Sequence, residues 1–158
     1  MPIEILPTGV ADPGAASPAP SAADRAAYRH CLEIRHVVFV EGQSVPEEIE
    51  FDGLDGEALH FIAYDDARRA IGTARMRVVD GAAKAERIAV LEPARGTGVG
   101  RALVEAIEAR ARREGLRRVR LNAQVRASAF YEKQGYRPHG AVFVEAGIDH
   151  RAMEKALD

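Results

Sequence analysis

The segment that most constrains this chain runs Glu86-Arg-Ile-Ala-Val-Leu-Glu-Pro-Ala-Arg-Gly-Thr-Gly-Val-Gly-Arg101. A strand-like apolar run ends in a turn holding Gly96, Gly98 and Gly100, and from Val99 the turn passes into helical periodicity. Glycines at such a junction let the backbone approach a ligand closely. The first N–H groups of the helix point outward, with the positive end of the helix dipole behind them. A pyrophosphate is well held there, and Arg95 and Arg101 flank the turn as charge-assisted donors. The plainer alternative is a glycine-rich helix start without a ligand.

Two familiar phosphate loops are excluded. A phosphate loop of NTPase type needs Gly-Lys-Ser/Thr, but the 22 cations include only three lysines, Lys84, Lys133 and Lys155, none beside a glycine-rich turn. The dinucleotide fingerprint is Gly-x-Gly-x-x-Gly with an acid about 20 residues on; here the spacing is Gly-x-Gly-x-Gly, and Arg117, Arg118 and Arg120 occupy that later region.

The 158 residues suit one domain, and 47% hydrophobic residues suit a packed core. The one cysteine, Cys31, allows no internal disulfide and no multi-cysteine zinc site, so no metal is expected; it reads as a small core residue. A formal charge of −2 speaks against a general polyanion binder. No apolar run reaches membrane-spanning length and the N-terminus lacks the pattern of a secretory leader, so the expectation is a cytoplasmic protein without membrane attachment.

Along the chain, Ile3 to Leu6 suits a short edge strand, and residues 11–23 form a Pro/Ala/Ser arm. Ser21 and Asp24 suggest a capping box opening a helix from about Ala22 to Val38. Residues 41–57 hold seven acids and no Lys or Arg, which reads as a solvated loop. Strand patterns follow at 59–65, 70–79 and 85–91, with an Asp80-Gly81 hairpin turn before the last. A helix from Val99 is closed by Gly115; then come a strand at 119–123, a short helix at 127–134, and strands at 141–146 and 150–157. The order is that of an α/β domain around a mixed sheet, with residues 1–20 as strand and arm and 21–158 as the functional domain.

Arg95-x-x-Gly98-x-Gly100 at a strand-to-helix junction resembles the acyl-CoA loop of the GCN5-related N-acetyltransferases. Leu121-Asn-Ala-Gln and Ala129-Phe-Tyr-Glu-Lys-Gln-Gly-Tyr136 are similar to that family's next strand and helix. Val38-Phe39 with Gln43-x-Val45-Pro46, and Glu145-Ala-Gly-Ile-Asp-His150, resemble a subgroup of small acetyltransferases, whose members often carry a second acid where this chain has Gly42. The resemblance spans about residues 28–157. It implies a single-domain α/β (α+β) fold, with a mixed, mostly antiparallel sheet flanked by helices and splayed central strands. It implies acetyl-CoA as co-substrate, with the backbone of Ile88, Ala89 and Val90 against pantetheine. Arg95, Gly96, Thr97, Gly98, Val99, Gly100 and Arg101 would lie around the pyrophosphate, Asn122 and Phe130 would line the cofactor site, and Tyr131 would stand near the thioester sulfur as a catalytic general acid, with a modest gain because a thiolate leaves without strong acid help. For Tyr131 the alternative is a half-buried helix aromatic with its hydroxyl in water. The implied reaction is acetyl transfer to the amine of a small or basic molecule, with no nucleic-acid or membrane partner and with room for a homodimer.

An alkylammonium of pKa near 10.4 costs roughly 4–5 kcal/mol to deprotonate at pH 7, so a base is expected. Glu86 is the candidate because simple alternation puts it on the face of Ile88 and Val90; its alternative is a carboxylate paired with Arg75 or Arg77. His150 and His60 are rivals, each equally readable as a satisfied polar residue. The Val90 amide would hold the oxyanion. The acid-only stretch 41–57 would steer a cationic amine, and the Arg run at 110–120 would form a solvated face with some members near the CoA 3′-phosphate. Two other readings remain: a non-catalytic acyl-CoA sensor, and a nucleic-acid-binding module using the Arg run.

Overall fold

The computed structural model describes residues 2–12, 14 and 19–158. The arm expected at 11–23 falls partly outside them, at residues 13 and 15–18. The expected capping box forms. The Ser21 hydroxyl accepts from the Asp24 amide at 3.1 Å, and the Asp24 carboxylate accepts from the Ser21 amide at 3.2 Å, which satisfies two otherwise orphaned donors. Helix α1 then runs Ala22–Arg35. It does not stop at Val38 but widens into a π-helical segment, His36–Glu41, ending at Gly42. A Cβ at position 42 would stand 3.1 Å from the Val37 carbonyl, so glycine suits that end. A single turn of helix α2 follows at Glu47–Glu50.

The remaining elements are β1 (Ile3–Ile5), β2 (Leu59–Tyr64), β3 (Ala70–Val79), β4 (Ala82–Val90), helix α3 (Val99–Arg113), β5 (Arg118–Gln124), helix α4 (Ser128–Glu132), β6 (Arg137–Pro138), β7 (Phe143–Glu145) and β8 (Ile148–Ala156). They form one sheet in the order β1-β2-β3-β4-β5-β8-β6, with β7 also on β8. Among the described residues every pairing is antiparallel except β4 with β5. Leu103, Val104 and Ile107 of α3 cover one face, packing on Phe61, Ala74, Met76 and Leu121. Ala27 and Cys31 of α1 cover the other, against Ile62 and Tyr64. Gly72 lets α3 approach, because a Cβ there would stand 2.9 Å from the Val99 side chain. No helix among the described residues is long and apolar enough to cross a membrane.

Strand β4 carries a bulge. Arg75 opposes Glu86 and Thr73 opposes Ala89, so Ala74 faces two residues, Arg87 and Ile88, and Arg87 takes a φ of 54°. An extra residue reverses the alternation of faces beyond it. Ala83 and Ala85 before the bulge, and Ile88 and Val90 after it, all pack toward α3. Glu86 instead lies on the α1 face with Arg75 and Ala89, which corrects the expectation that it shares a face with Ile88 and Val90.

The acid-only stretch is also not a solvated loop throughout. Glu50 is 3% exposed and Arg35 1%. Arg35 Nε donates to the Glu50 carboxylate at 2.8 Å, and its Nη1 reaches Asp55 at 2.8 Å. Arg75, fully buried, donates to Asp52, Asp55 and Glu86 at 2.9–3.0 Å. Arg77 takes Glu57 and Glu86. The carboxylates of 50–57 thus fold inward onto arginines of α1 and β3. Those arginines lie distant in sequence, and none was legible as a partner.

Removing one member of a buried pair leaves an uncompensated charge. Arg35→Ala is expected to lower unfolding stability by about 3–5 kcal/mol in urea titrations. The cluster also sets an acid limit. Burial alone would raise the Asp55 carboxyl, but the Arg35 charge and hydrogen bonds from Tyr28, Arg35 and Arg75 outweigh it and hold the pKa at about 2, against 3.8. A depressed carboxyl stabilises fully above its unfolded pKa and loses that contribution as pH falls through the folded one. Stability should therefore drop between about pH 4 and 2 by about 2 kcal/mol from this group, and Asp55→Asn should flatten that part of the profile.

Candidate active site

Strands β4 and β5 pair at only three positions, Ala83 with Val119, Lys84 with Arg120 and Ala85 with Leu121. Past the bulge they diverge. A cleft of about 690 Å³ opens between Glu86–Val90 on one side and Leu121–Gln124 on the other. The Leu91 amide donates to the Ile71 carbonyl of the β3 side at 2.9 Å. Antiparallel ladders alternate, so the amide and carbonyl of Val90 point the opposite way, toward the gap. Arg95 Nε donates to that Val90 carbonyl at 3.0 Å, which ties the start of the glycine turn to the end of β4.

The turn then does what its glycines permit. Gly96 and Gly98 have φ of 79° and 90°, a region that disfavours side chains, and Gly98 caps α3 without a side-chain hydrogen bond. Gly100 lies against Phe130, since a Cβ there would be 3.2 Å from the ring. The Thr97 hydroxyl donates to the Ala94 carbonyl. Val99 is buried under the sheet, and exposed Arg101 pairs with Glu105 along α3 at 2.9 Å. Of the residues singled out in the sequence, Glu86, Ile88, Ala89, Val90, Arg95, Asn122, Tyr131 and His150 line the cleft. Gly96 to Arg101 and Phe130 lie beyond its lining, at the α3 start.

The titratable groups differ sharply in what surrounds them. Tyr131 packs edge-on against Phe130 and Tyr136, with centroids 5.0 and 5.9 Å away. Burial pushes its phenol up to about 12. Glu86 has both of the partners named as its alternative, Arg75 at 3.0 Å and Arg77 at 2.7 Å. Burial alone would raise its pKa, but the Arg77 hydrogen bond and the Arg75 charge outweigh this and hold it below the usual range. His150 is nearly buried and stacks on Phe143. Its Nδ1 lies 2.7 Å from the Ile148 carbonyl. A carbonyl only accepts, so Nδ1 carries the proton and the neutral ring keeps its lone pair on Nε2. The Glu145 carboxylate is 3.8 Å from Nε2.

His60 stands elsewhere. It is buried against Tyr28, its Nε2 donates to the Asp55 carbonyl at 3.0 Å, and burial lowers its pKa. It does not line the cleft. Cys31 is buried beneath the α1 face with its thiol raised to about 11 by burial, as expected of a core residue. The Arg run is not near the loop. Arg117, Arg118 and Arg120 surround a shallow basin beside Gly81, where β4 begins. The loop follows the other end of that nine-residue strand, roughly 30 Å away. The expected approach of these arginines to a 3′-phosphate is therefore not met.

The far wall of the cleft includes Phe39, Gln43, Val45 and Gln124, which the sequence offered only as parts of family-like motifs and without a site role. Phe39 from the π-helical turn, Val45 and Ile49 line it, and the Gln124 side chain donates to Gln43 at 2.8 Å. Arg87 and Arg126 also line the cleft. Local patterning does not show that these positions face a cleft, because the wall begins in a turn of irregular helix. Among the described residues no group of His, Cys, Asp and Glu is placed to hold a metal.

Comparison with known proteins gives a consistent set of likenesses. The family described as the acetyltransferase (GNAT) domain matches residues 27–157. The uncharacterised N-acetyltransferase YjcF of Bacillus subtilis is 42% identical over 123 residues, 77% of this chain and 87% of that protein. An acyl-CoA N-acyltransferase of Pseudomonas aeruginosa has a TM-score of 0.78 at 26% identity, over 99% of this chain and 100% of that one. An aminoglycoside 6′-N-acetyltransferase solved with coenzyme A has a TM-score of 0.70 over 99% and 97% of the two chains, at 14% identity, a likeness of fold alone.

Proposed function

Because the chain belongs to the GNAT acetyltransferase family and is an acetyl-CoA-dependent acetyltransferase, we propose that its acceptor is a small primary amine and that residues 21–158 form the catalytic domain. The observation that carries this reading is the gap beside β4. It offers the outward-facing amide of Val90 to the pantetheine arm and thioester, within one short turn of the glycine loop at the N-terminus of α3, which suits the pyrophosphate. Ile88, Ala89 and Asn122 supply the walls of that channel, and Phe130 packs behind the loop.

The acceptor amine attacks the thioester carbonyl; a C–N bond forms, the C–S bond breaks and the electron pair leaves on sulfur. The Val90 amide holds the carbonyl oxygen as it gains charge. His150 Nε2 takes the ammonium proton, and the nearby Glu145 carboxylate stabilises the imidazolium that results. Glu86, held low by two arginines, serves to anchor the strand edge instead of acting as the base. For Tyr131 the energetics decide between proton transfer and hydrogen bonding. A phenol near 12 giving its proton to a thiolate near 8.5 goes uphill by about 5 kcal/mol. Tyr131 therefore donates a hydrogen bond to the leaving sulfur and keeps its proton. Steering of a basic amine by residues 41–57 loses much of its basis, since Glu50, Asp52, Asp55 and Glu57 face arginines. A cationic acceptor would instead meet Glu145 at the mouth.

Coenzyme A at about 100 times its Kd should stabilise the protein by about 2.7 kcal/mol, a rise in Tm of roughly 5–10 °C for a domain of this size. No shift at millimolar CoA would defeat the reading. In steady-state assays, His150→Gln should lower kcat by about 10²-fold or more and Tyr131→Phe by about tenfold, each with CoA affinity little changed. Wild-type turnover in His150→Gln would remove that residue from the mechanism.

A further inference from the structure

Arg87 has no role in the chemistry above, yet its backbone and its side chain are both unusual. It occupies the bulge of β4 at a φ of 54°, a backbone region that disfavours any side chain. A glycine would adopt that conformation without strain. The arginine side chain lines the cleft and reaches residues 49–52 of the facing segment. Its Nε lies 3.3 Å from the Glu50 carbonyl and 3.1 Å from the Glu50 carboxylate, and its Nη2 donates to the Ile49 carbonyl and the Asp52 carboxylate, both at 3.2 Å.

Those two carbonyls end helix α2, which is only four residues long. So short a helix cannot hold itself, and its last carbonyls need outside donors. Arg35 also donates to the Glu50 carbonyl, at 3.1 Å, and Arg75 holds Asp52, both from the buried side. Arg87 holds the same segment from the strand whose next three residues face the gap. The segment carries Val45 and Ile49, part of the wall where the acceptor would lie.

We infer that Arg87 is a positioning residue, which fastens the acceptor wall at 42–52 to the bulged edge that receives the thioester and so sets where the amine stands. The kinetic part of this inference rests on the acetyl-transfer reading; the structural part does not. Glycine at position 87 removes the clasp while relieving the backbone, and alanine removes the clasp and keeps the strain.

The test compares the wild type with Arg87→Gly, Arg87→Ala and Arg87→Lys. It uses coenzyme A titration, hydrogen exchange followed by mass spectrometry, and kinetics with whichever amine the wild type acetylates. Arg87→Gly should bind CoA within about threefold of the wild type, while the KM for the amine rises about tenfold or more. Amide exchange in 42–52 should speed up by about tenfold, with α3 and β5 unaffected. Arg87→Lys should recover part of the KM, and Arg87→Ala should show the same KM defect with a lower Tm. Unchanged exchange in 42–52, or an unchanged KM, in Arg87→Gly would overturn the inference. So would faster exchange across the whole sheet, or a CoA Kd rising in step with KM, since either assigns Arg87 a merely structural part. If the wild type binds CoA but acetylates no amine, the acetyl-transfer reading fails, and the exchange measurement still decides on the clasp.

Discussion

One extra residue in β4 governs the arrangement of the site. Two parallel strands joined by a helix would ordinarily stay paired along their length, with their polar edges closed on one another. Here pairing stops after Ala85 with Leu121. The bulge at Arg87 turns β4 away, and the edge of Ile88 to Val90 is left to a ligand instead of to β5. A sheet that closed the gap would retain the fold and lose the cleft. The positive φ of Arg87 belongs to that arrangement, since it lies where the register of β3 and β4 shifts.

The charged groups behind this edge act as a second constraint. Arg35, Arg75, Arg77 and Arg87 meet Glu50, Asp52, Asp55, Glu57 and Glu86 in one continuous network. Buried ion pairs add little net stability over apolar packing, but each member becomes costly to remove. The network therefore ties the irregular segment 42–57 to the sheet in one register. It also neutralises most of the acids near the acceptor, leaving a wall whose shape comes mainly from Phe39, Val45 and Ile49.

Much of the framework was legible in the sequence. The glycine turn, the long amphipathic helix after it, the Ser21–Asp24 cap and the Asp80-Gly81 hairpin all depend on local backbone chemistry, and they stand where local reasoning puts them. The errors share a cause. Glu86 fell on the wrong face because period-two counting passes straight through a bulge that no residue type announces. The inner carboxylates of 41–57 read as solvated because their partners lie on α1 and β3. The arginines of 110–120 read as near the loop because distance along a strand is invisible in a charge count.

What the sequence determined alone is therefore the identity of the pieces. It specifies a strand, a lysine-free glycine turn able to cradle phosphate, a helix, and an aromatic pattern after the next strand, each set by residues within a few positions of one another. The tertiary structure decided how the faces and charges are used. Whether a carboxylate is a free base or a clamped ion, and whether an edge is paired or open, depends on groups tens of residues away that only the folded sheet brings within 3 Å.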